Sequence, residues 1–242
     1  MLVGEATMLE FSGAIAQTRT VILPFGAVEE HGPHLPLSTD TLHALELARQ
    51  VGKRVPVLIA PPIHYGVCRS TREHPGTIGL SGDTLRGLAR DLGRDFYRQG
   101  LRHLIMLTGH CGGTHIAALI EAGEALLTEL PEIKIAVVNI IDLVIEVLKE
   151  NPDLVQTKGD SHAGEVETAL MQATYPHLVK GTAPAEWPHF PKFILVRDKR
   201  PYWPGGVWGN PELASPEQGQ QILAREADYL AEIVKSLEGL TE

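Results

Sequence analysis

The chain has 242 residues, of which 43% are hydrophobic and 21% are charged, as is typical of a globular protein able to bury a sizeable core. Its formal net charge of -9 argues against a nucleic-acid-binding surface, which needs clustered Lys and Arg. No apolar run reaches the roughly 18 residues of a membrane-spanning helix, and the N-terminus lacks the basic start of a signal peptide. We therefore expect a cytoplasmic protein without a membrane partner, forming a single domain over residues 1–242.

Apolar runs and helical periodicity alternate along the chain. The apolar runs predict buried strands at 21–28, 55–66, 103–109 and 133–141. Capping signals and 3.6-residue periods predict helices that follow Asp40, run from Asp83 to Gly100, end at Leu130, cover about 142–150, start near His162, and run on from Ser215. Since the strands are continuous in their apolar character, we expect a mostly parallel sheet in a three-layer α/β/α sandwich.

The segment 29–40, EEHGPHLPLSTD, follows the first predicted strand and is the richest in chemistry. It holds Glu29, His31 and Asp40, with glycine and prolines that stiffen it. Carboxylates and imidazoles bind Zn²⁺, Mn²⁺ and Fe²⁺, and strand ends are where ligands bind in open α/β sheets. A polar turn with incidental histidines is the alternative, which the number of such groups argues against.

Two further turns carry candidate residues. The segment 108–114, TGHCGGT, follows a strand and presents His110 as a candidate ligand, with Cys111 beside it. The loop 68–80 contains Arg69, Ser70 and Arg72, which either contact a substrate or form a solvated turn. The two cysteines are expected to be reduced. The segment 184–211 is interpreted as a long ordered loop that forms an active-site wall or a subunit contact.

A third cluster lies at the start of a helix, in DSHAGEVETAL at 160–170. His162 and Glu165 are predicted to share a helix face, whereas Glu165 and Glu167 point apart. Only one of the two glutamates should therefore face the centre that His162 faces, unless the backbone at the helix start is irregular.

These residues together suit two divalent ions. Glu29, His31, Asp40 and His110 supply two carboxylates and two imidazoles, with Glu167 as a fifth ligand. We hypothesise that a hydroxide bridging the two ions attacks a carbonyl, and that His162 transfers the proton. A metal-dependent lyase or phosphoesterase, and a metal-dependent small-molecule binding protein without turnover, remain alternatives.

The chain resembles the creatininase family of metal-dependent amidohydrolases. The resemblance lies in LPFGAVEEHGPHLPLSTD at 23–40, HPGTI at 74–78, TGHCGGT, DSHAGEVET at 160–168 and GVWGNPELASPEQG at 206–219, which follow the family order. It implies an α/β/α fold, two Zn, Mn or Fe ions, and hydrolysis of a carbon–nitrogen bond other than a peptide bond, in an amide, cyclic amide or formamide. It also implies a homo-oligomer, commonly a hexamer, and the ligand set named above with His162 in proton transfer.

Two departures from the family pattern bear on the substrate. True creatininases carry a glutamate ligand where this chain has Gly112, and a tryptophan near the last histidine motif where it has Lys158 and Gly159. The first departure favours Glu167 as the fifth ligand, and the second argues against creatinine amidohydrolase proper. The guanidinium groups of Arg69 and Arg72 would suit an anionic amide, with Ser70 and Cys111 as further candidate substrate contacts.

Overall fold

A four-stranded parallel sheet lies at the centre of the computed structural model, which describes residues 1–241. Its strands, within that range, are β1 (Thr20–Phe25), β2 (Leu58–Ile59), β3 (His103–Thr108) and β4 (Lys134–Asn139), in the order β2-β1-β3-β4. Phe25 pairs with Thr108 and Thr108 pairs with Asn139, so three strands end in register. Their carboxyl ends therefore share one edge, where parallel sheets bind ligands.

Seven α-helices surround the sheet in the described chain. They are α1 (Met8–Ile15), α2 (Thr39–Val51), α3 (Gly82–Arg98), α4 (Gly113–Glu129), α5 (Ile140–Glu150), α6 (Glu165–Thr174) and α7 (Pro216–Gly239). Helices α1, α3 and α4 pack on one face of the sheet, while α2, α5, α6 and α7 cover the other. Both faces are thus buried, and the predicted three-layer α/β/α fold is confirmed.

Successive strand residues supply the two hydrophobic cores in turn. Val21 and Leu23 of β1 join the core under α3 and α4, whereas Ile22 joins the core under α2 and α7. Side chains alternate between the two faces of a pleated strand, which gives this period of two. Because both faces are buried, the sequence of each strand is a continuous apolar run.

Several predicted boundaries need correction. The strand predicted over 55–66 is only the two residues Leu58–Ile59, because Pro56, Pro61 and Pro62 lack the N–H that a ladder requires. Helix α5 begins at Ile140, two residues earlier than predicted, and α1 was not predicted at all. No helix in the described chain has the length and hydropathy needed to cross a membrane.

Close helix packing depends on glycine at one position of α7. A Cβ atom added to Gly219 would collide with the backbone carbonyl of Ala169 in α6, whereas one added to Gly87 on exposed α3 would meet open space. Gly219 therefore sets the distance between α6, which carries candidate site residues, and α7.

We predict opposite effects of two helical glycine-to-alanine substitutions. Gly219→Ala should lower the unfolding free energy by about 1 to 3 kcal/mol through overpacking. Gly87→Ala should raise it by roughly 0.5 to 1 kcal/mol because alanine loses less conformational freedom on folding. Urea unfolding of both variants tests this, and a Gly219→Ala protein as stable as the parent would show that α6 and α7 are not in contact as described.

Candidate metal centre and active site

The candidate centre lies where the loop after β1, the turn after β3 and the first turn of α2 meet. A Cβ added to Gly26 would collide with the Thr41 backbone, and one added to Gly109 would collide with the Asp40 carbonyl. Glycine at both positions lets the start of α2 approach the sheet edge. Asp40, in that first turn and 3% exposed, is thereby held between the two strand ends.

Two histidine rings each direct one nitrogen at the Asp40 carboxylate, and in the neutral form of each ring that nitrogen carries the lone pair. His31 donates from Nδ1 to the Glu29 carbonyl at 3.1 Å, so in the neutral ring the lone pair is on Nε2, which lies 3.0 Å from Asp40 Oδ1. His110 similarly contacts the Val67 carbonyl through Nε2 at 3.2 Å, and its Nδ1 lies 3.1 Å from Asp40 Oδ2. Each carboxylate oxygen of Asp40 thus faces a different imidazole.

Glu29 and Glu167 complete the two sides of this arrangement. Glu29 Oε2 lies 2.8 Å from His110 Nδ1, and Glu167 Oε2 lies 3.7 Å from His31 Nε2. The groups able to hold a metal are Glu29 with Cys68 and His110, Glu29 with His31 and His162, and His31 with Asp40 and Glu167. The structure therefore brings together all five sequence-predicted ligands.

Glu165 does not face this centre. It is fully buried and accepts hydrogen bonds from the backbone N–H of Thr157 at 2.7 Å and from Nε2 of Gln218 at 2.6 Å. The prediction that His162 and Glu165 share a helix face is wrong, because α6 begins only at Glu165. Ala163 has φ 48°, and its N–H donates to Glu167 Oε2 at 2.5 Å, so this irregular turn directs Glu167 toward His31.

His162 packs beside the cluster in a defined orientation. Its ring lies 4.3 Å from the His31 ring, between centroids, and 5.1 Å from the Trp203 ring. Nε2 donates to the Glu30 carbonyl at 2.8 Å, so in the neutral ring Nδ1 carries the lone pair. His162 can therefore accept and release a proton at Nδ1 while its other nitrogen stays fixed.

The buried charges of this centre shift the pKa values of its groups. Burial alone would lower the pKa of His31, but the carboxylates of Asp40 and Glu167 raise it to about 10. Burial also opposes the charged form of His110, yet Glu29 and Asp40 hold its pKa well above the usual value. Burial would raise the pKa of Asp40, but the two imidazoles hold it well below its usual range.

The shifted pKa values and the unpaired ring nitrogen of His31 indicate whether a metal ion would fit at this centre. His31 Nε2 is buried without a hydrogen-bond partner in the described chain, although two carboxylate oxygens lie near it. A buried ring nitrogen that faces anionic oxygens needs a positive charge, which its own proton or a metal ion can supply. A divalent ion supplies that positive charge, and the second nitrogen of each imidazole is already oriented by a carbonyl, as metal-binding histidines require.

The loop 68–80 contributes differently from the prediction. Thr71, which was not predicted, donates its hydroxyl hydrogen to Glu29, and buried Cys68 lies beside Glu29 and His110. Ser70 accepts a hydrogen bond from Lys199 at 2.8 Å, and Arg72 is 81% exposed. Arg69 and Arg72 line a cleft of about 900 Å³ that begins at Cys68.

Cys111 lines a smaller cavity on the other side of the centre. This cavity, of about 170 Å³, is walled mainly by aliphatic side chains and reaches Glu167 and Gly159. Neither Cys111 nor Cys68 is paired in a disulfide, in agreement with the expectation of reduced thiols.

Several supporting residues could not be identified from the sequence. Trp203, which packs on His162, belongs to the aperiodic loop 184–211, and Thr71 is separated from Glu29 by 42 positions. His34 is close in sequence to His31, yet its Nε2 lies 2.9 Å from the Thr168 hydroxyl instead of joining the cluster. Sequence spacing alone does not distinguish His34 from His31.

Comparison with known proteins supports the interpretation of this site. The family model described as creatininase, creatinine amidohydrolase, matches residues 4–234. Creatinine amidohydrolase of Pseudomonas putida is 29% identical over 92% of this chain and 92% of its own length. The mycofactocin precursor peptide peptidase of Mycobacterium ulcerans (strain Agy99) is 29% identical over 86% of this chain and 82% of its own.

Solved structures agree with the sequence relatives. A manganese creatininase superposes with a TM-score of 0.86 at 27% identity, over 97% of each chain. A mutant creatininase of the Zn-Zn type superposes with a TM-score of 0.85 at 27% identity, again over 97% of each chain. Fold and site together define a metal-binding hydrolase that acts on carbon–nitrogen bonds other than peptide bonds. The chain belongs to the creatininase family, as its motifs predicted.

The buried position of His34 leads to a prediction about stability and pH. Burial, together with the charge of His31, lowers the pKa of His34 to about 4 from the ordinary 6.5. Below pH 6.5 His34 is therefore protonated in the unfolded chain but still neutral in the native protein. The free energy of unfolding falls as the pH falls toward 4. Between pH 8 and pH 5 this linkage should cost the native state about 2 kcal/mol.

We expect His34→Gln to remove this part of the acid sensitivity. Unfolding free energies of both proteins should be measured in urea from pH 8 to pH 5 at one free metal concentration, since acid also affects the metal site in both. Between pH 8 and pH 5 the parent should lose about 2 kcal/mol more unfolding free energy than the variant. Parallel curves would show that His34 titrates alike in the folded and unfolded states.

Proposed function

We propose that this protein hydrolyses an amide, cyclic amide or formamide bond of a small molecule, using two divalent ions held in the centre described above. The observation that carries the proposal is the bridging position of Asp40, whose two oxygens each face a different imidazole lone pair at 3.0 and 3.1 Å. One carboxylate between two nitrogen ligands suits a pair of divalent ions.

Each ion would have its own set of ligands. Glu29, His110 and one Asp40 oxygen would hold the first, while His31, Glu167 and the other Asp40 oxygen would hold the second. Mixed nitrogen and oxygen ligands suit Zn²⁺, Mn²⁺ and Fe²⁺. When bound, such ions acidify water and polarise the carbonyl of the scissile bond.

The protein's own groups would then orient the reactants and move the proton. His162 is the proposed general acid and base, because its Nε2 is fixed by the Glu30 carbonyl and its Nδ1 is free to accept a proton. A base that receives a proton from water and delivers it to the departing nitrogen lowers the barrier for both halves of the reaction.

The surroundings of the centre argue against creatinine itself as substrate. Gly112 has no side chain to act as a ligand, and Glu167 lies next to His31 instead. The cavity beside Cys111 is lined by aliphatic groups such as Ile141 and by Gly159. We propose that Cys111 and these aliphatic groups contact an uncharged part of the substrate.

The metal content of four purified proteins tests this proposal. The parent should bind about two ions per chain when Zn²⁺ or Mn²⁺ is supplied to chelated protein, and both His110→Ala and Glu167→Gln should bind fewer. Glu165→Gln is the matched control: it should keep the ions, since Glu165 caps backbone N–H groups away from the centre. A parent that binds no metal would overturn the proposal.

Turnover should be measured in the same experiment with a panel of small amides, lactams, formamides and phosphoesters. His162→Gln should retain both ions and lose about 10²- to 10⁴-fold in kcat on whichever C–N substrate the parent cleaves. Loss of the ions in this variant would make His162 a ligand, and cleavage of the phosphoesters alone would replace the amidase assignment.

We also propose that the chain forms a homo-oligomer through the loop 184–211. Phe193 and Leu195 are 104% and 97% exposed, and Ile194 between them is exposed as well. A run of large exposed apolar side chains is characteristic of a protein contact surface.

Charged substitutions in this loop should dissociate the assembly. Phe193→Asp with Leu195→Asp should reduce the mass measured by light scattering, whereas Leu127→Asp, at a half-exposed leucine of α4, should leave it unchanged. A monomeric parent, or an assembly that survives the double substitution, would contradict this contact surface.

A further inference from the structure

The cleft that begins at Cys68 has an unbalanced positive charge. Its volume is about 900 Å³, and its charged lining consists of one acid and four cations, which are Glu73, Arg69, Arg72, Arg197 and Lys199. Two of the cations come from the loop 68–80 and two from the loop 184–211, whose Ile194 and Leu195, part of the proposed subunit contact, also line the cleft. The bond from Lys199 Nζ to Ser70 Oγ, 2.8 Å long, joins the two loops at this cleft.

Three of these cations lack a carboxylate partner. Arg69, Arg197 and Lys199 form no ion pair within the described residues 1–241, and Arg72 approaches Glu73 only at 3.9 Å. Elsewhere on the surface most arginines are paired, as Arg200 is with Asp198 at 2.7 Å. Burial and the charge of Arg69 lower the pKa of Lys199, which indicates that the two cations are near one another.

The cleft adjoins the proposed metal centre through two shared residues. Val67 and Cys68 line the cleft, while the Val67 carbonyl contacts His110 and the Cys68 sulfur lies beside Glu29. Its far wall includes Ser81 and Gly82 at the N-terminus of α3, where backbone N–H groups favour anions. Val67 and Cys68 are therefore shared between the cleft and the surroundings of His110 and Glu29.

We infer that this cleft binds a phosphate monoester carried by the amide substrate. The inference rests on the proposed function, since it concerns the part of the substrate away from the scissile bond. Four cations and one acid leave a net positive charge larger than the charge of one carboxylate group. Planar guanidinium groups pair with phosphate oxygens through parallel N–H bonds. Arg69 and Lys199, on facing loops, are the residues assigned to the phosphate.

Calorimetric titration of the metal-loaded protein tests this inference with small probes. The probes are glycerol 3-phosphate, glycerol as its neutral counterpart, and glutarate as a carboxylate. Glycerol 3-phosphate should bind at least about tenfold more tightly than either of the others, and more weakly as the salt concentration rises. Equal binding of glutarate, or no binding of glycerol 3-phosphate, would overturn the phosphate assignment.

Variants locate the binding on the cleft. Arg69→Ala with Lys199→Ala should raise the Kd by at least about tenfold, while Arg69→Lys with Lys199→Arg should keep it within about threefold. Arg200→Ala is the matched control, because this arginine is paired with Asp198 and does not line the cleft. An equal effect of Arg200→Ala would show non-specific attraction.

One confounding contact needs its own control, because phosphate esters also bind metal ions directly. Glu167→Gln, which should weaken ion binding, should leave the Kd for glycerol 3-phosphate within about threefold of the parent value. Loss of binding in that variant would place the phosphate at the metals and overturn the inference. Ion content and amide turnover report separately on the proposed function, so either idea can fail alone.

Discussion

The position of the Asp40 carboxylate between two imidazole lone pairs is the constraint on which the rest of the site depends. It requires the start of α2 to touch two strand ends at once, which glycine at positions 26 and 109 allows. It also requires both rings to be turned so that their protons point away, toward the carbonyls of Glu29 and Val67. The sheet register, with Phe25 opposite Thr108, brings those carbonyls and rings to one edge.

Without a bound cation, the buried charges of this cluster lower the stability of the folded protein. Buried carboxylates lose hydration, and the polarised imidazoles compensate only by taking up protons, as the raised pKa values of His31 and His110 indicate. Folding energy from two hydrophobic cores must therefore hold together groups that repel one another. The same buried carboxylates would favour a divalent ion at the cluster, because its positive charge offsets theirs.

The sequence was informative where local chemistry and periodicity decide the outcome. The apolar runs located β1, β3 and β4, and the ligand types at strand ends identified side chains that the structure brings together. It failed where the outcome depends on distant contacts or on backbone irregularity. Prolines shortened the strand predicted over 55–66, and the positive φ of Ala163 separated His162 from the helix that carries Glu165. No spacing rule shows that Glu165 bonds to Gln218 or that His34 turns toward Thr168.

The proposed metal ligands and the cleft assigned to the substrate lie on different parts of this fold. The proposed ligands lie on the sheet edge and on helix starts, where packing on both faces restricts motion, whereas the cleft is walled by the loops 68–80 and 184–211. Loops tolerate substitution because few core contacts depend on them. Two relatives of similar identity have different names, one an amidohydrolase and the other a peptide peptidase. In this chain the charged lining of the large cleft is mostly cationic, whereas the smaller cavity beside Cys111 is mainly aliphatic, so the proposed substrate would meet a different chemistry on each side of the centre.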